Sequence, residues 1–120
     1  MSKYIDGFVL PIKKANLEAY RIMAEKCAVI WKEHGALEFI ETVGDDMKAK
    51  DMTSFPQLAN CAEDETVILS WIVFSSRDAR DVVNAKMHAD PRINEICSSG
   101  PMPIDCKRMA YGGFRTIVEA

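Results

Sequence analysis

The run Thr66-Val67-Ile68-Leu69-Ser70-Trp71-Ile72-Val73-Phe74 leaves this chain few folds to choose from. It is rich in β-branched and aromatic residues, holds no Gly or Pro, and is short enough to be one strand. Val67, Leu69, Trp71 and Val73 point one way. Ile68, Ile72 and Phe74 point the other, with Ser70 the sole polar residue between them. A strand that is apolar on both sides is normally covered on both faces. This run is therefore predicted to be a central strand.

The neighbours follow from periodicity. Tyr4 to Leu10 reads as a strand, with Tyr4, Asp6, Phe8 and Leu10 on one face, and Pro11 is expected to end it. Gly7 inside that strand points to a bulge or a close approach. Leu17, Tyr20, Ala24, Cys27, Ala28 and Trp31 recur at spacings of three and four, which predicts a helix over about Asn16 to His34, closed by Gly35. Leu37 to Val43 is a less apolar strand, suited to an edge. After the central strand, Ser75 is a candidate cap for a helix over Arg77 to Ala89, with Ala79, Val82, Val83, Lys86 and Met87 inward. Asp90-Pro91 stops it, and a short helix over Pro91 to Ser98 follows. The last strand is expected within Lys107 to Val118, bent or bulged at Gly112-Gly113. The long connection 45–65 contains one candidate helical turn at Phe55, Leu58 and Ala59. It is either a cover, with Phe55-Pro56 over an opening, or an arm that helps a dimer contact.

Strand, helix, strand, strand, helix, strand is the split β-α-β order of a ferredoxin-like α+β fold with an antiparallel sheet. At 120 residues the chain is expected to form one domain spanning 1–120. In this topology the third strand lies between the first and second, which agrees with its two apolar faces. Both main helices pack on one face and leave the other bare. Soluble monomers avoid a large bare apolar face, so a second copy laid sheet to sheet is expected, giving a two-fold homodimer.

Composition excludes several classes. A net charge of -3 offers no broad cationic surface for nucleic acid or an anionic membrane. The pairs Lys13-Lys14 and Lys107-Arg108 are too short to change that. No apolar run approaches the roughly 20 residues of a membrane span, and the amino terminus does not read as a signal peptide. Cys27, Cys61, Cys97 and Cys106 show no metal-ligand spacing and fit a cytoplasmic protein with free thiols. Cys106, beside Lys107 and Arg108, is a candidate reactive thiol or simply a buried one. No metal site and no cofactor motif is read from the chain.

Several segments carry a resemblance: Tyr4 to Pro11, Glu33 to Glu38, Thr53 to Pro56, Asp64 to Val67, Asn84 to Lys86, and most specifically Lys107-Arg108-Met109-Ala110-Tyr111-Gly112-Gly113-Phe114. Together they resemble the YbaA-like family of small bacterial proteins of unknown function. That family is similar to the dimeric α/β-barrel superfamily, whose ferredoxin-like protomers face one another through their sheets. The resemblance implies a dimer. It does not imply a reaction, because that superfamily includes cofactor-free monooxygenases, haem-degrading enzymes, isomerases and binding proteins.

The candidate site residues each have two readings. Trp71 is an aromatic wall for a flat ligand, or core packing. His34 is an acid or base near neutral pH, or a cationic helix end. His88 reads as a helix-end residue. Asp6, Arg108 and Tyr111 could converge across neighbouring first and fourth strands, with Arg108 pairing Asp6, either to bind a carboxylate or enol or as a structural salt bridge at the dimer interface. Three functions remain open: a homodimer binding a small apolar or aromatic metabolite, a cofactor-independent monooxygenase or isomerase of an aromatic or enolic substrate, and a structural or regulatory dimer without a ligand. The discriminating feature is whether a polar residue (His34, Asp6 or Tyr111) opens into an enclosed apolar pocket.

Overall fold

A computed structural model describes residues 2–120. The elements run β1 (Tyr4–Lys13), α1 (Leu17–His34), β2 (Glu38–Val43), α2 (Phe55–Leu58), β3 (Glu65–Phe74), α3 (Arg77–Ala89), α4 (Pro91–Ser98) and β4 (Ala110–Arg115). The strands form one antiparallel sheet in the order β2-β3-β1-β4. This is the ferredoxin-like arrangement, and β3 is interior. The molecule measures 40 × 38 × 20 Å, and 20 Å is the depth of a sheet plus one layer of helices.

Alternation sets the two faces. Tyr4, Asp6, Phe8, Leu10 and Ile12 of β1 lie beside Phe74, Ile72, Ser70, Ile68 and Thr66 of β3 and turn toward the helices. Their burial forms two clusters. Leu10, Ile12 and Ile68 pack with Tyr20 and Ala24 of α1. Ile72 and Phe74 pack with Ile30 of α1 and with Val83 and Met87 of α3. Phe8 packs against both clusters. Ser70 sits between Ile68 and Ile72 on this face and divides them. The opposite face carries Ile5, Val9, Leu69, Trp71 and Phe114, and the last of these is 60% exposed.

Local signals explain the boundaries. Gly35 closes α1 with φ of 120°, in the left-handed half of the map where a side chain would be strained. Ser76, not Ser75, caps α3 by accepting from the Ala79 amide at 3.0 Å. Ser54 and Gln57 form a capping box around α2, so the expected turn at Phe55 is present. Val82 points outward on α3, while Val83 and Met87 are the buried positions.

Two strand limits differ from expectation. β1 passes through Pro11 to Lys13, because β4 pairs only as far as Val9. Beyond that point β1 is an edge on one side, where a missing donor is tolerated. β4 begins at Ala110, since Cys106–Arg108 forms a turn of 3-10 helix. No bulge occurs at Gly112-Gly113, as Gly112 pairs with Gly7 and Gly113 with Asp6 in continuous register. The glycines serve close approach instead. A Cβ on Gly7 would meet the Phe114 ring at 3.1 Å, and one on Gly113 would run into Tyr4.

Candidate functional site

A cavity of about 180 Å³ lies between α1 and the sheet, where Ser70 divides the two core clusters. Its walls are largely apolar: Phe8, Met23, Ala24, Trp31, Phe39 and Ile72, with Ile104 and Met109 from the α4–β4 connection. Three polar side chains meet in it. Glu41 of β2 is directly opposite Ser70 of β3 in the ladder. Tyr20 of α1, 6% exposed, donates its hydroxyl proton to Glu41 Oε1 at 2.8 Å.

The electrostatics of this cluster are unusual for a core. Among the described residues, Glu41 is the only carboxylate lining the cavity, and no Lys, Arg or His lines it. Burial raises the Glu41 carboxyl above its usual range, although the Tyr20 and Ser70 hydroxyls favour its ionised form. Burial, and then the nearby Glu41 charge, pushes the Tyr20 phenol upward. The Cys27 thiol in the same wall is pushed up to about 11 by burial, with smaller contributions from Cys97 and Glu41. It is a protonated core thiol at neutral pH rather than a nucleophile.

A second polar cluster lies where α3 crosses β1 and β4. Asp6 is 1% exposed. Arg80 approaches it through Nη1 at 3.3 Å. The same Nη1 donates to the Tyr111 hydroxyl at 2.9 Å, and Nη2 donates to the Tyr4 hydroxyl at 3.3 Å. The guanidinium carbon sits 4.9 Å from the Tyr4 ring centre, within cation–π range. Arg80 Nε lies 3.0 Å from Asp81 Oδ1 without hydrogen-bond alignment. Burial raises the Asp6 carboxyl even so; Arg80, Tyr111 and Asn84 only partly offset it.

Asp6 and Tyr111 thus come together as expected, but Arg108 is not their partner. Arg108 reaches Glu65 Oε2 at 2.7 Å and the Asn60 carbonyl at 2.8 Å. The reason is register. Asp6 pairs with Gly113, and Arg108 lies in the turn before β4, well past the end of the ladder. Arg108 holds the Glu65 carboxyl down to about 2, with help from the Ala62 amide.

The other expected residues are dispersed. His34 Nε2 lies 2.7 Å from Asp90 Oδ2, and Asp90 also caps α4 by accepting from the Arg92 amide at 3.0 Å. His34 therefore ties the end of α1 to the start of α4, away from the cavity. Trp71 belongs to the cavity lining as part of the sheet floor, although strand alternation directs its indole toward the open face. Phe55 sits on α2 and is 41% exposed. His34, Asp6 and Tyr111 are absent from the cavity wall. Tyr111 instead stacks against Phe8 with ring centres 5.1 Å apart.

The sequence matches the family described as Protein of unknown function (DUF1428) over residues 3–106. It is 43% identical over 117 residues to the "Uncharacterized protein YbaA" of Escherichia coli strain K12, covering 98% of each chain. The YbaA of Shigella flexneri matches at the same identity and coverage. The chain belongs to the DUF1428 family. Solved structures show that the fold extends beyond DUF1428. A protein of the nipsnap family with unknown function from Agrobacterium tumefaciens superposes with a TM-score of 0.60 at 16% identity, over 95% of this chain and 87% of that one. A dimeric ferredoxin-like protein from an uncultured marine organism gives 0.60 at 11% identity, over the full length of both. None of these descriptions names a ligand or a reaction, so the chemistry of this DUF1428 chain must be read from its own side chains.

Glu41, Tyr20 and Arg80 were not singled out by sequence reasoning. The signals existed. Ser70 interrupts an apolar face, and Glu41 shares the apolar parity of β2 with Phe39 and Val43. What sequence could not supply was that Ser70 and Glu41 stand opposite one another, beneath Tyr20.

Proposed function

We propose that this protein is a homodimer that binds a small apolar or aromatic molecule in the cavity between α1 and the sheet of each protomer. The cavity carries this reading: it is apolar in most of its wall, yet holds a convergent Glu41-Tyr20-Ser70 cluster, the pattern of a ligand pocket. Packing alone would not place a carboxyl there without a cationic partner. The open sheet face supports the dimer. Leu69 and Phe114 are exposed on it, and Trp71 on the same face is only half-buried, leaving apolar surface that a second copy would cover. The marine ferredoxin-like neighbour is itself described as dimeric. Phe55 and Leu58 on α2 add apolar surface that a partner could cover. The four free cysteines fit a reducing cytoplasmic compartment. The described residues 2–120 act in this reading as one domain.

A cofactor-independent monooxygenase or isomerase would have to use Glu41 as its proton acceptor, since His34, Asp6 and Tyr111 lie outside the cavity. Native mass spectrometry of gently purified protein tests the proposal. A dimer mass with a co-purified small molecule is expected. A monomer at micromolar concentration would refute the assembly. Failure of every small aromatic probe to perturb cavity-lining methyl resonances would refute the ligand reading.

A further inference from the structure

We infer that the cavity selects an organic cation: a small aromatic or aliphatic amine whose ammonium group pairs with Glu41 while its apolar body lies among Phe8, Trp31 and Phe39. The inference rests on the ligand-binding reading above and names its substrate class. Four observations support it.

Glu41 is the one charged group in the wall among the described residues, and it has no counter-ion there. Glu41 is half-buried, and a carboxylate withdrawn from water without a cationic partner is costly. A ligand cation would supply that partner. The hydroxyls of Tyr20 and Ser70 already approach Glu41 as donors and offset part of the burial that disfavours its charge, so a ligand cation would complete the stabilisation of the carboxylate. A ligand whose polar end is a carbonyl or carboxylate finds no free donor of comparable strength.

The walls add to this. The cavity is lined by Phe8, Tyr20, Trp31 and Phe39, and aromatic faces attract cations when water is excluded. The size is also restrictive. At about 180 Å³ the space is close to the roughly 150 Å³ that admits a single benzene ring. One ring, or a short branched chain, with a brief tail ending in nitrogen would fill it.

The same geometry argues against enolisation. Proton abstraction beside a carbonyl develops negative charge on oxygen and needs donors or a cation aimed at it. Here Tyr20 is engaged with Glu41, no Lys, Arg or His lines the cavity, and the developing enolate would face the Glu41 carboxyl.

Three isosteric probes separate the outcomes: phenethylamine, phenethyl alcohol and phenylacetate, titrated near neutral pH and followed by tryptophan fluorescence and calorimetry. Phenethylamine is expected to bind at least about tenfold more tightly than phenethyl alcohol, with phenylacetate weakest. In Glu41→Gln the amine preference should vanish while phenethyl alcohol still binds, which also shows that the variant retains its pocket. Equal affinity for amine and alcohol, or tighter binding of phenylacetate, would overturn the cation inference and leave the apolar pocket standing. No binding of any probe by the wild-type protein would overturn both.

Discussion

Replacing Arg80 by Met tests whether the Asp6 cluster holds α3 onto the sheet. Asp6 is 1% exposed, and Arg80, with 14% of its side chain exposed, is its nearest cation at 3.3 Å. Met keeps much of the apolar stem but leaves a buried carboxylate unpaired. Removing one partner of a buried ion pair costs about 3–5 kcal/mol. Against the roughly 6–18 kcal/mol expected for 120 residues, that is a large share of the total. The cost should also depend on pH, and the sign is fixed. Burial raises the folded-state Asp6 carboxyl above its ordinary value of 3.8. A group with a raised folded pKa contributes its stability below the unfolded pKa and loses it as pH rises through the folded one. Without Arg80 that folded pKa rises further, so the penalty grows with pH. Urea denaturation at fixed protomer concentration, at about pH 8 and about pH 5, measures this directly. A penalty of about 3–5 kcal/mol at the higher pH is expected, shrinking toward the about 1–2 kcal/mol of lost hydrogen bonds at the lower. The double variant Asp6→Asn with Arg80→Met should recover most of the loss. A cost below about 1 kcal/mol at the higher pH, or one that does not change with pH, would refute the reasoning.

Three further outcomes follow from the same physics. Glu41→Gln should raise the thermal midpoint near neutral pH, because the folded pKa of Glu41 is raised and its ionisation opposes folding; the gain should close as pH falls toward the ordinary value of 4.5, and a constant or negative difference would count against a strained carboxyl. Phe114→Lys on the open sheet face should shift the protein from dimer to monomer in light scattering, with the helix content by circular dichroism retained; an unchanged dimer mass would move the interface elsewhere. Arg108→Ala should lower the thermal midpoint modestly at neutral pH, since Arg108 serves both Glu65 and the Asn60 carbonyl. Because the folded Glu65 carboxyl lies near 2, that stabilisation is present above its ordinary 4.5 and fades as pH falls toward 2, so wild type and variant should converge in acid.

Much of the fold was legible because its determinants are local. The alternation of β3, the three-and-four spacing of α1, Gly35 after His34 and Asp90-Pro91 after α3 each constrain a few consecutive residues, and the observed elements follow them closely. The two-sided apolarity of β3 even located it inside the sheet. The site was less legible. Trp71 attracted attention by its chemistry and does belong to the cavity lining, but strand parity directs its indole toward the open face. Arg108 was the right kind of partner for Asp6 on the wrong residue. Arg80, on a different element, reaches Asp6 because α3 crosses β1 at that level.

By itself, then, the sequence determined the element order and the ferredoxin-like topology. Only the tertiary structure decided which polar groups meet: Glu41 with Ser70 and Tyr20, Asp6 with Arg80, His34 with Asp90. The physical reason lies in range. Backbone conformation and amphipathic spacing are set within a turn or two of chain. The pairing of buried charges depends instead on strand register and helix placement, which shift a side chain by several ångströms for each residue of offset.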